Sequence, residues 1–302
     1  STENTLTINA EKDQTASVTL SGANIDVSGK GKAAVSTNGE GNVSIELDGE
    51  NTLKSATNHA GLEKNNGGSL TIADEDKNGK LTAEGGIYGA GIGGGYEGEG
   101  SNIAITGGEV EATGGIGGAG IGGGKNGAGS SIAITGGEVK ATGGKYGAGV
   151  GGGLSGNGNH ITITGGEVKA TGGLNGAGIG GGLWGKGKDI TISGDAQLKV
   201  QGGVGDYFDG PGAGIGDGGS RPKESTGGNP IPGAEVEPDT SGLTTGRIEY
   251  YAPGADMEKD EPTSTTTGKP TEPTEPGKPV EPTEPAVPEQ PEAERGADAP
   301  LY

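Results

Sequence analysis

The chain has 302 residues, of which 72 are Gly and only 28% are hydrophobic, and it carries a formal charge of −20 with no Cys. Zero Cys excludes a disulfide scaffold and a thiolate metal site and is compatible with a secreted bacterial protein. The acidic balance excludes nucleic acid as a favoured partner, because phosphate binding needs clustered Lys and Arg.

In chain order, the first apolar alternations are Val18 to Leu20, Ile25 to Val27 and Ala33 to Val35. Alternation with period 2 marks a strand with one buried face. A second triad uses Val43 to Ile45, the segment around Leu53, and Ala60 to Leu62; a third uses Leu70 to Ile72, Leu81 to Ala83 and Ala90 to Ile92. Four copies of a 29-residue unit follow, starting at Gly85, Gly114, Gly143 and Gly172 and reading approximately GGxxGAGIGGGxxGxGxxIAITGGEVKAT. A fixed period of this size means a stack of like units, each burying its apolar stripe against its neighbours.

Stacking in register predicts three inward columns: Ile92, Ile121, Val150 and Ile179; Ile103, Ile132, Ile161 and Ile190; Val110, Val139, Val168 and Leu198. The predicted fold is all-β, a right-handed parallel β-helix of about seven three-strand coils, on the order of 30 Å long. No Pro precedes Pro211, as expected where every backbone N–H belongs to a ladder. Polyglycine-II helices, suggested by GAGIGGG alone, are disfavoured because IAIT and EVKAT are β-type.

The last coil is Ile190 to Ile192, Leu198 to Val200 and Ala213 to Ile215, interrupted by an insertion around Asp206 to Pro211. The organisation expected is a β-helix over 1–220, a C-terminal cap or irregular segment over 221–258, and a Pro/Glu/Thr-rich linker over 259–302. Within the middle segment, Arg247 to Tyr251 reads as a strand closing the open end. The final segment reads as a largely unstructured spacer of polyproline character. The abrupt start at Ser1 reads as a mature or recombinant terminus, and the end carries no anchor motif, so a fragment of a larger surface protein is expected.

Calcium has the clearest metal signal. Residues 74–79 spell D-x-D-x-N-G, with Asp74, Asp76 and Asn78 as side-chain ligands and Lys80 offering its carbonyl. The twelfth-position Glu is missing, since Gly85 stands there, and Asn-Gly is itself a turn signal, so a plain corner is the competing reading.

Aromatic residues supply a second signal. Tyr88, Tyr96, Tyr146, Trp184, Tyr207 and Phe208 all fall in loops and none at a core position. A ring that does not pack the core is suited to stacking on a sugar face, although covering Gly-rich backbone would use it equally well. Tyr88 and Tyr146 occupy equivalent corners two coils apart, about 10 Å; Tyr96 and Trp184 belong to the other variable corner. Between the inward residues of each GAGIG strand, the outward residue is Gly91, Gly120, Gly149 or Gly178, with Gly61 and Gly214 as outlying members. Such a bare lane would admit a flat partner, unless the wall there is too tight for a Cβ.

Catalysis finds little support. A lyase needs a strongly basic residue, and no Arg precedes Arg221. Lys140, Lys169 and Lys199 fall in one outward column beside Glu138 and Glu167, which reads as charge pairing on a solvated face. Asp206, Asp209 and Asp217 sit in a Gly-Pro loop and read as turn formers or a cation site rather than a glycosidase pair. His59 and His160 are far apart in the stack.

The GGEVKATGGxxGAGIGGG pattern resembles the Gly-rich β-helix repeats of carbohydrate-binding domains in clostridial cell-surface proteins, a group similar in shape to pectate lyases. That family includes calcium-dependent binders of acidic plant polysaccharide. The resemblance covers roughly residues 40–220. It implies a noncatalytic carbohydrate-binding or adhesion module at a bacterial cell surface or secreted, with polysaccharide or glycoconjugate as partner. The alternative from another class is a structural spacer or self-associating stalk of an adhesin or phage fibre, and a polysaccharide lyase is the third reading.

Overall fold

The computed structural model describes residues 1–222 and 229–269. The expected linker lies outside the described residues from residue 270 onward. Among the described residues every regular element is a strand, and the strands stack into three sheets of eight, seven and nine members, parallel throughout except at the last strand of the third. The first sheet runs from Leu6–Ala10 to Ile215–Gly216, the second from Thr15–Ser21 to Gly187–Ile192, and the third from Asn24–Asp26 to Ser264–Thr267. The described residues form a parallel β-helix of about seven coils.

Register follows the apolar columns. Ile121 pairs with Ile92 and Val150, Ile132 with Ile103 and Ile161, and Val139 with Val110 and Val168. A slip by one residue would turn each column to solvent, which is why the alternation fixes the pairing. Ile121, Ile132, Ile134 and Ala141 are fully buried, and one continuous aliphatic core runs the length of the stack.

The Gly lane is not outward. Gly91, Gly120, Gly149 and Gly178 are buried, and a Cβ on Gly120 would lie 2.6 Å from the Gly149 carbonyl oxygen and 2.7 Å from the Thr142 nitrogen. The first-sheet strand in each repeat is only two residues long, as in Ile121–Gly122, so the wall turns at once and its backbone packs against the end of the third sheet. Gly122 itself has φ +134°, a conformation reserved for Gly.

Both ends depart from the sequence reading. Leu6–Ala10, an additional strand, pairs with Val35–Gly39 and buries Ile8 and Ala10. At the other end Arg247–Tyr251 adds in parallel to Gln197–Gln201, as expected of a closing strand. Ser264–Thr267 then adds antiparallel to it, so a strand stands where the linker was expected to have begun. Thr is a good strand former, and STTT offers one edge to the ladder without requiring burial.

Candidate ligand-binding ridge

Each repeat has two short variable loops, G-G-x-x-G before the first-sheet strand and G-G-G-x-x-G after it. Only a two-residue strand separates them, so the second loop of one coil reaches the first loop of the coil before. The Lys125 N–H donates to the Tyr88 carbonyl at 2.8 Å, Leu154 to Gly117 at 2.8 Å, and Leu183 to Tyr146 at 2.9 Å. The two corners that sequence spacing set apart therefore form one ridge along the rod. The second loops turn through left-handed residues, Glu97, Asn126, Ser155 and Trp184, with φ of 59°, 64°, 62° and 65°.

This convergence gathers the rings and pairs them with cations. Tyr88 and Tyr96 pack with centroids 5.6 Å apart, and Lys125 Nζ lies 4.6 Å and 5.7 Å from their centres. Lys145 Nζ lies 5.0 Å from the Tyr146 ring, and hydrogen bonding with that Tyr raises the ammonium pKa above its ordinary value. Arg221 stands over Trp184 and Phe208, and Tyr207 packs edge-on against Phe208. Exposed Ile87, Ile116 and Val204 extend the apolar surface between them. Phe208 joins the five rings proposed as ligand contacts, and the cations were missed: Lys125 and Arg221 reach their rings from other coils, and Lys145, though next to Tyr146 in the chain, was not read as its partner.

At the acidic corner, Asp74 acts as a turn acceptor, taking the N–H of Asn78 at 3.2 Å and of Gly79 at 3.0 Å. The Asn78 amide donates to Asp76. The Lys80 carbonyl already accepts the Asn51 amide at 3.2 Å, and its ammonium pairs with Glu109. The third convergent carboxylate is Glu46 of the previous coil: Glu46, Asp74 and Asp76 each offer an oxygen, all within 4.8 Å of one another. These residues fit a hard divalent cation better than the local motif alone, and Glu46 was invisible to a motif read along the chain.

Other titratable groups are engaged structurally. Lys140 pairs with Glu111 and not with Glu138, because Glu111 is its in-register neighbour one strand away. Lys169 and Lys199 both reach Glu258, which crosses over the third sheet beside a groove of about 530 Å³. Asp206 caps the Phe208 and Asp209 N–H groups, and Asp217 caps Gly187 and pairs with Lys186. His59 bonds Glu63.

Four segments, residues 77–96, 103–125, 132–154 and 161–183, match the family model described as Beta helix repeat. These segments lie in the central coils, which are similar to that repeat. They contain Tyr88, Tyr96 and Tyr146, while Trp184 falls just past the last matched residue. No curated protein and no solved structure matches the chain. Beta helix repeats occur in enzymes and in non-enzymes alike, so the chemistry of the ridge has to carry the functional argument.

Proposed function

We propose that the protein is a noncatalytic carbohydrate-binding or adhesion module of an extracellular bacterial surface protein, and that a polysaccharide lies along the loop ridge. One observation carries this reading: Tyr88, Tyr96, Tyr146, Trp184, Tyr207 and Phe208 all project from the converged loops, none of them needed by the core. From the coil of Tyr88 to that of Tyr207 the ridge spans roughly 19 Å at the usual strand spacing, a length suited to several consecutive sugar rings. Ring faces take the C–H faces of sugars, and Lys125, Lys145 and Arg221 offer donors to hydroxyl or carboxylate oxygens. The noncatalytic part of the reading is supported by the paired state of Lys140, Lys169 and Lys199 and by the capping roles of Asp206 and Asp217.

Calcium belongs to the same proposal. Glu46, Asp74 and Asp76 would hold it, and its charge would offset part of the chain's acidity near the early coils. A glycan array run with calcium and again with chelator tests the whole reading. Binding to a polysaccharide class, weakened by Tyr146→Ala, is the expected result; silence across plant, microbial and host glycans would favour the structural stalk, and release of sugar fragments would favour a lyase.

A further inference from the structure

The ridge is regular except where the insertion at 204–211 interrupts the last coil, and that break carries a network of its own. Asp209 is only 2% exposed. Its Oδ1 accepts the Trp184 indole Nε1–H at 2.9 Å and Arg221 Nε–H at 3.2 Å, and its Oδ2 accepts Arg221 Nη2–H at 2.9 Å. The same guanidinium carbon lies 5.2 Å from the Trp184 ring centre and 5.9 Å from that of Phe208. One buried carboxylate thus fixes the direction of the indole and the seat of the guanidinium between two rings.

The loop bearing Asp209 is tied down in turn. Asn175 takes the place that Tyr88, Gly117 and Tyr146 hold in the other copies, and its Nδ2 donates to the Asp209 and Gly210 carbonyls at 2.8 Å and 2.9 Å. Its Oδ1 has no protein partner and is the one buried side-chain oxygen of that kind among the described residues. The coil itself closes without this network, through Gly178 N–H to Ala213 and Ile179 N–H to Gly214. A buried charge-assisted network that the ladder does not require is the arrangement expected of a preorganised contact.

Resting on the carbohydrate reading above, we infer that Asp209 is the positioning residue of a specificity-determining subsite for one sugar ring of a polysaccharide chain. Tyr207 and Phe208, 88% and 62% exposed, meet edge to face and present the platform for the ring's C–H face. Arg221 directs Nε and Nη2 to Asp209, and its third nitrogen is the donor for sugar oxygens. Trp184 carries the guanidinium on its ring and serves as the wall beneath Arg221, where the sequence alone suggested a stacking surface. The ridge continues from here to Tyr146 and Lys145, so the subsite reads a ring within a chain.

The chain has a single Trp, so its fluorescence reports this subsite alone. Soluble β-glucan, xylan and polygalacturonate are titrated against the native protein and against Asp209→Asn, which keeps the shape but removes the charge holding Arg221. The native protein should show a Trp184 emission change with at least one polymer. The variant should show altered emission, easier acrylamide quenching, an unchanged far-UV circular dichroism spectrum, and affinity lower by about tenfold. Arg221→Lys, which keeps the charge and loses the fork, should bind as weakly as Asp209→Asn. Tyr207→Ala removes an exposed ring; it should weaken binding without moving the emission, and it serves even if Asp209→Asn misfolds. Native affinity in both Asp209→Asn and Tyr207→Ala would overturn the subsite while leaving the carbohydrate reading in place; no binding by the native protein to these polymers or any arrayed glycan would overturn both.

Discussion

Gly120 shows how much of this fold is decided by single atoms. An added methyl would collide with two backbone groups of neighbouring coils, none of which can move without breaking a ladder. Gly120→Ala should cost about 2 kcal/mol or more and lower the melting temperature. Gly29, with open space where its Cβ would lie, should accept Ala with little change or a slight gain. Equal losses in the two variants, measured by thermal denaturation, would contradict the steric account. The sequence offered a wall too tight for a Cβ only as the alternative to an open lane, because alternation assigns a face by its side chains and a residue without one does not say which of the two holds.

Among the elements, the strands were readable and the loops were not. Ile103, Ile132, Ile161 and Ile190 declare their column because each must meet its like, and the register followed. The convergence of the variable loops depended on the brevity of strands such as Ile121–Gly122, which a run of Gly conceals. Glu46 was missed for a related reason, since a coil spacing and not a motif spacing brings it to Asp74 and Asp76. Calcium bound there should raise the melting temperature by roughly 2–8 °C as its free concentration rises well above the dissociation constant. Asp76→Ala should abolish that rise; a melting curve indifferent to calcium and chelator would remove the site.

The segment around Glu258 makes a separate prediction. Hydrogen bonds from Lys169 and Lys199 hold the Glu258 carboxyl below its ordinary value of 4.5. A depressed carboxylate stabilises the docked state fully above its unfolded pKa, and that contribution is lost as pH falls through the folded one. Protection factors for amides at 252–260 should therefore be steady near neutrality and fall in the acid range below the ordinary value of 4.5, while those of the central strands persist. Glu258→Gln should remove the pH dependence, and a segment equally protected in acid would show that the lysine contacts do not hold it.

For the whole molecule, the stack and the ridge divide the work. The aliphatic columns make a rod whose stability is spread over near-identical interfaces, so Ile134→Ala at the middle of the core should cost about 3 kcal/mol and show in chemical denaturation, with no direct effect on ligand. Residues on the ridge should behave in the opposite way. The most direct test is calorimetric titration of the polysaccharide class found on the array against native protein, a Tyr88→Ala/Tyr146→Ala/Tyr207→Ala variant, and a control carrying Glu138→Gln/Glu167→Gln on the third sheet. The account predicts near-native melting temperatures for both variants, an affinity reduced at least tenfold in the first and unchanged in the second; equal affinity in all three, or loss only in the control, would contradict it.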